Sequence, residues 1–146
     1  MCKNVVDRSQ DQLVDITMVG FCDDELLESP KLSRLEIVYP DSSVSSLSKA
    51  LKKLPKLEEL SIHSAFLQLN HCSIIGDEEI IAISENLGEL RHLELRRNYS
   101  LSNIGLQAIL NGCPCLKVLD LRLCPYVDLK GDIGKRLEQI EYALHT

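Results

Sequence analysis

Four six-residue stretches of this chain share one spelling. Leu32-Ser33-Arg34-Leu35-Glu36-Ile37, Leu57-Glu58-Glu59-Leu60-Ser61-Ile62, Leu90-Arg91-His92-Leu93-Glu94-Leu95 and Leu116-Lys117-Val118-Leu119-Asp120-Leu121 all read L-x-x-L-x-[LI]. A looser copy, Leu13 to Met18, precedes them. Within each copy the fourth and sixth positions are apolar and the third and fifth are mostly polar, the alternation of a half-buried strand. Recurrence at an interval of a few tens of residues means stacked units, each supplying one strand and burying its apolar face against its neighbours. Few other architectures accept such a sequence.

The copies begin at 13, 32, 57, 90 and 116, so the intervals are 19, 25, 33 and 26 residues. The first is short, leaving little helix around Leu26-Leu27-Glu28-Ser29-Pro30. The third is long, with Ala65 to Asn70 inserted after its strand. Between the strands the apolar period becomes helical. Val44, Leu47, Leu51 and Leu54 form one set, Ile80, Ile81, Ile83 and Leu87 a second, and Ile104, Leu106, Ile109 and Leu110 a third. Asp77 and Ser102 stand where helix N-caps are needed, and Asn111-Gly112 where a helix stops. Pro30, Pro55 and Pro114 each lie two residues before a strand copy, where a helix must give way to extended chain. One strand and one helix per unit predict an α/β solenoid with a parallel sheet. Ile133, Leu137, Ile140 and Leu144 fall on one stripe and predict a capping helix at the end. The division expected is a lead-in over 1–12, repeats over 13–130 and the capping helix over 131–146.

The 146 residues, at formal net charge −6, argue against a nucleic-acid or acidic-membrane surface, which needs basic character. No apolar run has the length of a membrane span, and Met1 to Arg8 lacks a signal core, so a cytoplasmic or nuclear home is expected. The six cysteines, Cys2, Cys22, Cys72, Cys113, Cys115 and Cys124, are then expected as free, metal-free thiols, and their spacings match no structural zinc site. The motifs of hydrolases, phosphate-binding loops and zinc proteases are missing, and neither an enzyme nor a cofactor is expected. Asp23-Asp24-Glu25 and Asp77-Glu78-Glu79 read as helix N-termini rather than catalytic carboxylates.

Cys113-Pro114-Cys115-Leu116 before the last strand and Cys124-Pro125-Tyr126-Val127 after it resemble the cysteine-containing subtype of leucine-rich repeat, with Asn98 at the Cys124 position of the preceding copy. With the opening Met1-Cys2 through Val5-Asp7-Arg8-Ser9-Gln10, the Leu119-Asp120-Leu121-Arg122 strand and the closing Val127 to Asp132, the whole chain is similar to plant F-box/leucine-rich-repeat proteins, over their repeat portion. The resemblance implies a leucine-rich-repeat β–α solenoid, a short horseshoe segment, acting as the substrate-recognition part of a Skp–cullin–F-box ubiquitin ligase. No stretch matches the F-box itself, so the cullin adaptor is not an expected partner. A small-molecule or hormone sensor of the same repeat class is the alternative.

The outward strand positions carry the candidate interface. The third position reads Asp15, Arg34, Glu59, His92, Val118. The fifth reads Thr17, Glu36, Ser61, Glu94, Asp120, and the seventh Val19, Val38, His63, Arg96, Arg122. Either these charges pair among themselves across strands, or they form a recognition patch. The patch expected is His92, Glu94, Arg96, Arg97, Asp120 and Arg122, with the arginines meeting an acidic or phosphorylated protein segment. Reversing Arg96 and Arg122 to Glu is expected to abolish capture and leave the fold intact.

Overall fold

A computed structural model of the chain describes residues 3–6, 15–19, 31–38, 49, 51–63 and 75–145. The expectations placed on Cys2, Cys22, Cys72, Asp23 to Glu25, Val44, Leu47 and the Ala65–Asn70 insertion lie outside those residues. The described chain forms one seven-stranded sheet whose strands lie in sequence order. They are β1 (Lys3–Val6), β2 (Asp15–Val19), β3 (Arg34–Val38), β4 (Glu59–His63), β5 (His92–Glu94), β6 (Val118–Asp120) and β7 (Tyr142–Leu144). The helices are α1 (Asp77–Asn86), α2 (Asn103–Gly112) and α3 (Asp132–Leu137).

The five strands read from the repeat are all present and mutually parallel, and they pair with equivalent positions opposite one another. Ile16 faces Leu35, Leu35 faces Leu60, Leu60 faces Leu93, and Leu93 faces Leu119. All five are fully buried. The sixth-position residues Ile37, Ile62, Leu95 and Leu121 are buried beside them. Neither the 19-residue nor the 33-residue interval shifts this register. Slipping a strand by one residue would exchange its leucines for its charges, so the apolar pattern fixes the pairing whatever the length of the connection.

The backbone repeats as closely as the side chains. Before β4, β5, β6 and β7 one tight turn recurs: Leu57 N–H donates to Leu54 O, Leu90 to Leu87, Leu116 to Cys113 and Ile140 to Leu137. Helix α1 starts after Gly76, whose N–H donates to Glu79 Oε2 at 2.8 Å. Asp77, expected to cap its own helix, instead caps the next one. Its carboxylate accepts from the Ser102 N–H at 2.9 Å, the Gly105 N–H at 3.2 Å and the Ser102 hydroxyl. Ser102 is the N-cap of α2, as its sequence position implies. One unit further on, Asn103 Nδ2 donates to Asp128 O and Asp128 N–H to Asn103 Oδ1, each at 2.8 Å. A side chain of one unit thus closes the loop of the next.

Asn98 works the same way after β5. Its Oδ1 accepts from Ser100 and Leu101 N–H, at 2.9 and 3.0 Å, while Nδ2 donates to Ile75 O at 3.1 Å. Cys124 holds that place after β6, and its Sγ lies 3.1 Å from Leu95 O. Cys113 is buried with Sγ 3.6 Å from Leu87 O. Burial pushes its thiol up to about 11, with the nearby Cys115 sulfur adding to the effect. Both thiols point at backbone carbonyls of the unit before.

Two expectations need correction. The capping helix over 131–146 is a short helix, α3, followed by β7. Leu144 is therefore strand rather than helix, 43% exposed, and Ala143 takes the core place beside Leu119. Ile104, placed on the apolar stripe of α2, is 68% exposed. The lead-in contains β1, which pairs antiparallel with β2 and covers that edge of the sheet. Among the described residues no helix is long and apolar enough to cross a membrane.

Candidate functional site

The outward side chains of the sheet carry one continuous run of polar contacts, with ion pairs at the arginines. Arg34 NH1 lies 2.8 Å from Asp15 Oδ1, and its other nitrogens reach Glu36 and Glu59 at 3.6 and 3.4 Å. His63 Nε2 is 3.3 Å from Glu36 and 3.6 Å from Glu94. His92 Nε2 is 3.1 Å from the other Glu94 oxygen. Arg96 spans the next gap, NH2 to Glu94 and Nε to Asp120, both at 3.4 Å. Arg122 closes the run on Asp120, with NH2 at 2.6 Å and Nε at 2.9 Å.

Parallel strands in register make this possible, because equal positions of successive copies stand beside one another. Glu94 and Asp120 face each other in the register of β5 and β6, and Arg96 bridges the two carboxylates, as Arg34 bridges Asp15, Glu36 and Glu59. Cross-strand pairing and recognition are thereby compatible, since pairing holds the side chains in fixed positions.

Five of the six expected site residues belong to the run. His92 and Glu94 lie on β5, Asp120 on β6, and Arg96 and Arg122 just beyond the two strand ends. Arg97 belongs to the turn instead. Its φ is +60°, its side chain is exposed, and its N–H donates to Arg122 O at 3.0 Å.

Asp120 is the pivot. Its side chain is 2% exposed, whereas those of Arg96 and Arg122 are 41% and 43% exposed. Burial alone would raise its carboxyl. Hydrogen bonds from the Arg122 side chain and backbone, with the charges of Arg122 and Arg96, outweigh burial and hold it below the ordinary carboxylate value. Arg96 and Arg122 are outside the core, as expected, but they neutralise a carboxylate that is not. Reversing both to Glu would set three carboxylates together around a buried one and threaten the fold, which corrects the expected benign outcome.

Sequence reasoning missed an apolar groove beside this run. Tyr99, Leu121, Leu123, Cys124, Pro125, Val127, Leu129 and His145 line it, and its volume is about 380 Å³. Tyr99 and Leu123 are each 52% exposed. The available signal was Leu123 itself. It stands 26 residues after Arg97 in the same turn, an apolar residue where the preceding copy has a charged one.

No family model matches the chain. Curated proteins of Arabidopsis thaliana do match it, these three among them. F-box protein SKIP19 is 34% identical over 99% of this chain and 56% of its own length. F-box/LRR-repeat protein 22 is 34% identical over 96% of this chain and 55% of its own length, and F-box/LRR-repeat protein 23 is 34% identical over 93% and 37%. The chain spans about half the length of the curated relatives it matches.

Proposed function

The chain belongs to the plant F-box/leucine-rich-repeat proteins, and from that premise we propose that its charged sheet face recognises the protein substrate of a Skp–cullin–F-box ubiquitin ligase. The supporting observation is the pre-arranged charge run over β5 and β6. Asp120 takes Nε and NH2 of Arg122, which leaves NH1 directed elsewhere, and nearly half of each guanidinium side chain faces solvent. A fixed, half-exposed arginine can pair with a carboxylate or phosphate without first ordering itself. His92, Glu94 and Arg97 complete the patch around Arg96 and Arg122. Docking of the cullin adaptor is assigned to an F-box and not to these repeats.

The test is affinity capture from plant extract with identification by mass spectrometry. Because Glu substitutions would strand Asp120, the informative variant combines Asp120→Asn with Arg122→Gln. It removes the charges and keeps two amides able to hydrogen-bond. Capture by the native chain should fall at least about tenfold in this variant. It should persist when the exposed Lys52 and Lys53 are changed to Glu. Equal loss from both variants would mean bulk charge governs capture. Recovery of the cullin adaptor would place ligase docking on the repeats and refute that assignment.

A further inference from the structure

We propose that the chain dimerises through the open edge of β7, which pairs antiparallel with β7 of a second copy about a two-fold axis at Ala143. This goes beyond the recognition reading and does not rest on it.

The first observation is backbone. Tyr142 N–H donates to Lys117 O at 2.9 Å, and Leu144 O accepts from Leu121 N–H at 2.7 Å. The polar groups of these two residues thus point toward β6. Successive residues of a strand direct theirs to opposite sides, so the N–H and C=O of Ala143 point outward. Among the described residues β7 pairs with β6 alone. An edge of this kind is a template for another strand.

The second is space. Helix α3 precedes β7 and packs against α2, and among the described residues no helix follows β7. A second strand therefore approaches that edge without a helix of either copy in its path. Ala143 holds the core position opposite a fully buried Leu119, yet is only partly buried. A covering strand completes its burial.

The third is complementarity, and it names the occupant. Glu141-Tyr142-Ala143-Leu144-His145 matches its own reversal. The two-fold register that overlaps all three strand residues centres on Ala143, and the two Ala143 residues exchange N–H···O bonds. Tyr142 then stands opposite Leu144 of the second copy, twice. These are non-hydrogen-bonded positions, where facing side chains lie closest and an aromatic–aliphatic pair is favourable. Both residues are exposed on the outward face, Tyr142 at 59% and Leu144 at 43%. Glu141 stands opposite His145, also twice, so a carboxylate meets an imidazole and not another carboxylate. Both are exposed. Opposite residues share a face, so the charged runs of both copies lie on one side of the joined sheet.

Sedimentation velocity on the full chain tests this. So short an overlap buries less than a standard interface, so dimer should dominate at about 300 μM and monomer at about 3 μM. Exchange of the Ala143 amide should slow as concentration rises. Tyr142→Lys should weaken dimerisation about tenfold or more and leave the melting temperature unchanged, because the side chain is exposed. Glu141→Lys and His145→Glu should each weaken it too. Combined in one chain they should restore it, because the exchanged charges again fall opposite one another. A chain that stays monomeric at about 300 μM overturns the proposal and leaves the edge to a segment of another protein. A dimer unaffected by Tyr142→Lys, or a double variant no better than either single one, also overturns it.

Discussion

Asp120 shows how a residue can serve fold and surface together. Its carboxyl is held below the ordinary value by Arg122 and Arg96 against the opposing effect of burial. A depressed folded value means its stabilisation is fully present above the unfolded value of about 3.9 and disappears as pH falls through the folded value. Native chain and Asp120→Asn should therefore differ most in denaturant stability near neutral pH and converge below about pH 4. A difference that stays constant down to pH 3 would show that the charge is not what matters. Cysteine chemistry is as local. Cys115 is exposed, while Cys113 is buried and titrates at about 11. Alkylation at pH 8 followed by peptide mass mapping should modify Cys115 first and leave Cys113 unreacted until the chain unfolds. Comparable rates in the folded protein would contradict the burial. The positions of these residues were legible from the repeat spacing. Their partners were not, because a carboxylate on a strand reads alike whether solvent or two arginines surround it.

At the level of elements, the leucine strands were legible because period-two alternation and an approximately 26-residue recurrence agree. Strand β7 escaped because Ala143 stands where the other copies have Leu or Ile, and because Ile133, Leu137, Ile140 and Leu144 also satisfy a helical stripe. The overlooked cue was Ile140, 24 residues after Leu116, making the same turn to Leu137 that opens β4, β5 and β6. Helix packing was less legible still, since it depends on small residues. Gly112 ends α2 against α1, and a methyl group there would collide with the Ser84 carbonyl. Backbone cannot yield as a flexible side chain can, so Gly112→Ala should cost about 1–3 kcal/mol in chemical denaturation. Gly88 is a matched control, with open space where its Cβ would be. An equal cost at both positions would point to helix-end conformation rather than to the helix contact.

The described residues form a stack in which each strand bonds to its sequence neighbours, so stability is a sum of unit and interface contributions. The candidate recognition surface follows from that geometry. Register places like positions of successive copies side by side, and a charge pattern written 26 residues apart becomes one surface on β5 and β6. Such a surface is readable from sequence where copies are regular. The groove at Leu123 was not readable, because side chains outside the strand pattern, Tyr99, Leu123, Leu129 and His145 among them, complete it. The stack also dictates how damage spreads. Leu93 sits between Leu60 and Leu119 and touches an interface on each side. Leu137 lies on the terminal unit, which has a neighbour on one side among the described residues. Truncating Leu93 to Ala should cost about 2–5 kcal/mol and speed amide exchange in β4 and β6 together. Truncating Leu137 should speed exchange chiefly in α3 and β7. If the Leu93 effect stayed within β5, the units would be independent. The alignment of charges across the sheet would then have no cooperative support, and each ion pair would stand as an isolated surface contact worth about 1 kcal/mol or less. Propagation in both directions is what a pre-arranged recognition face requires.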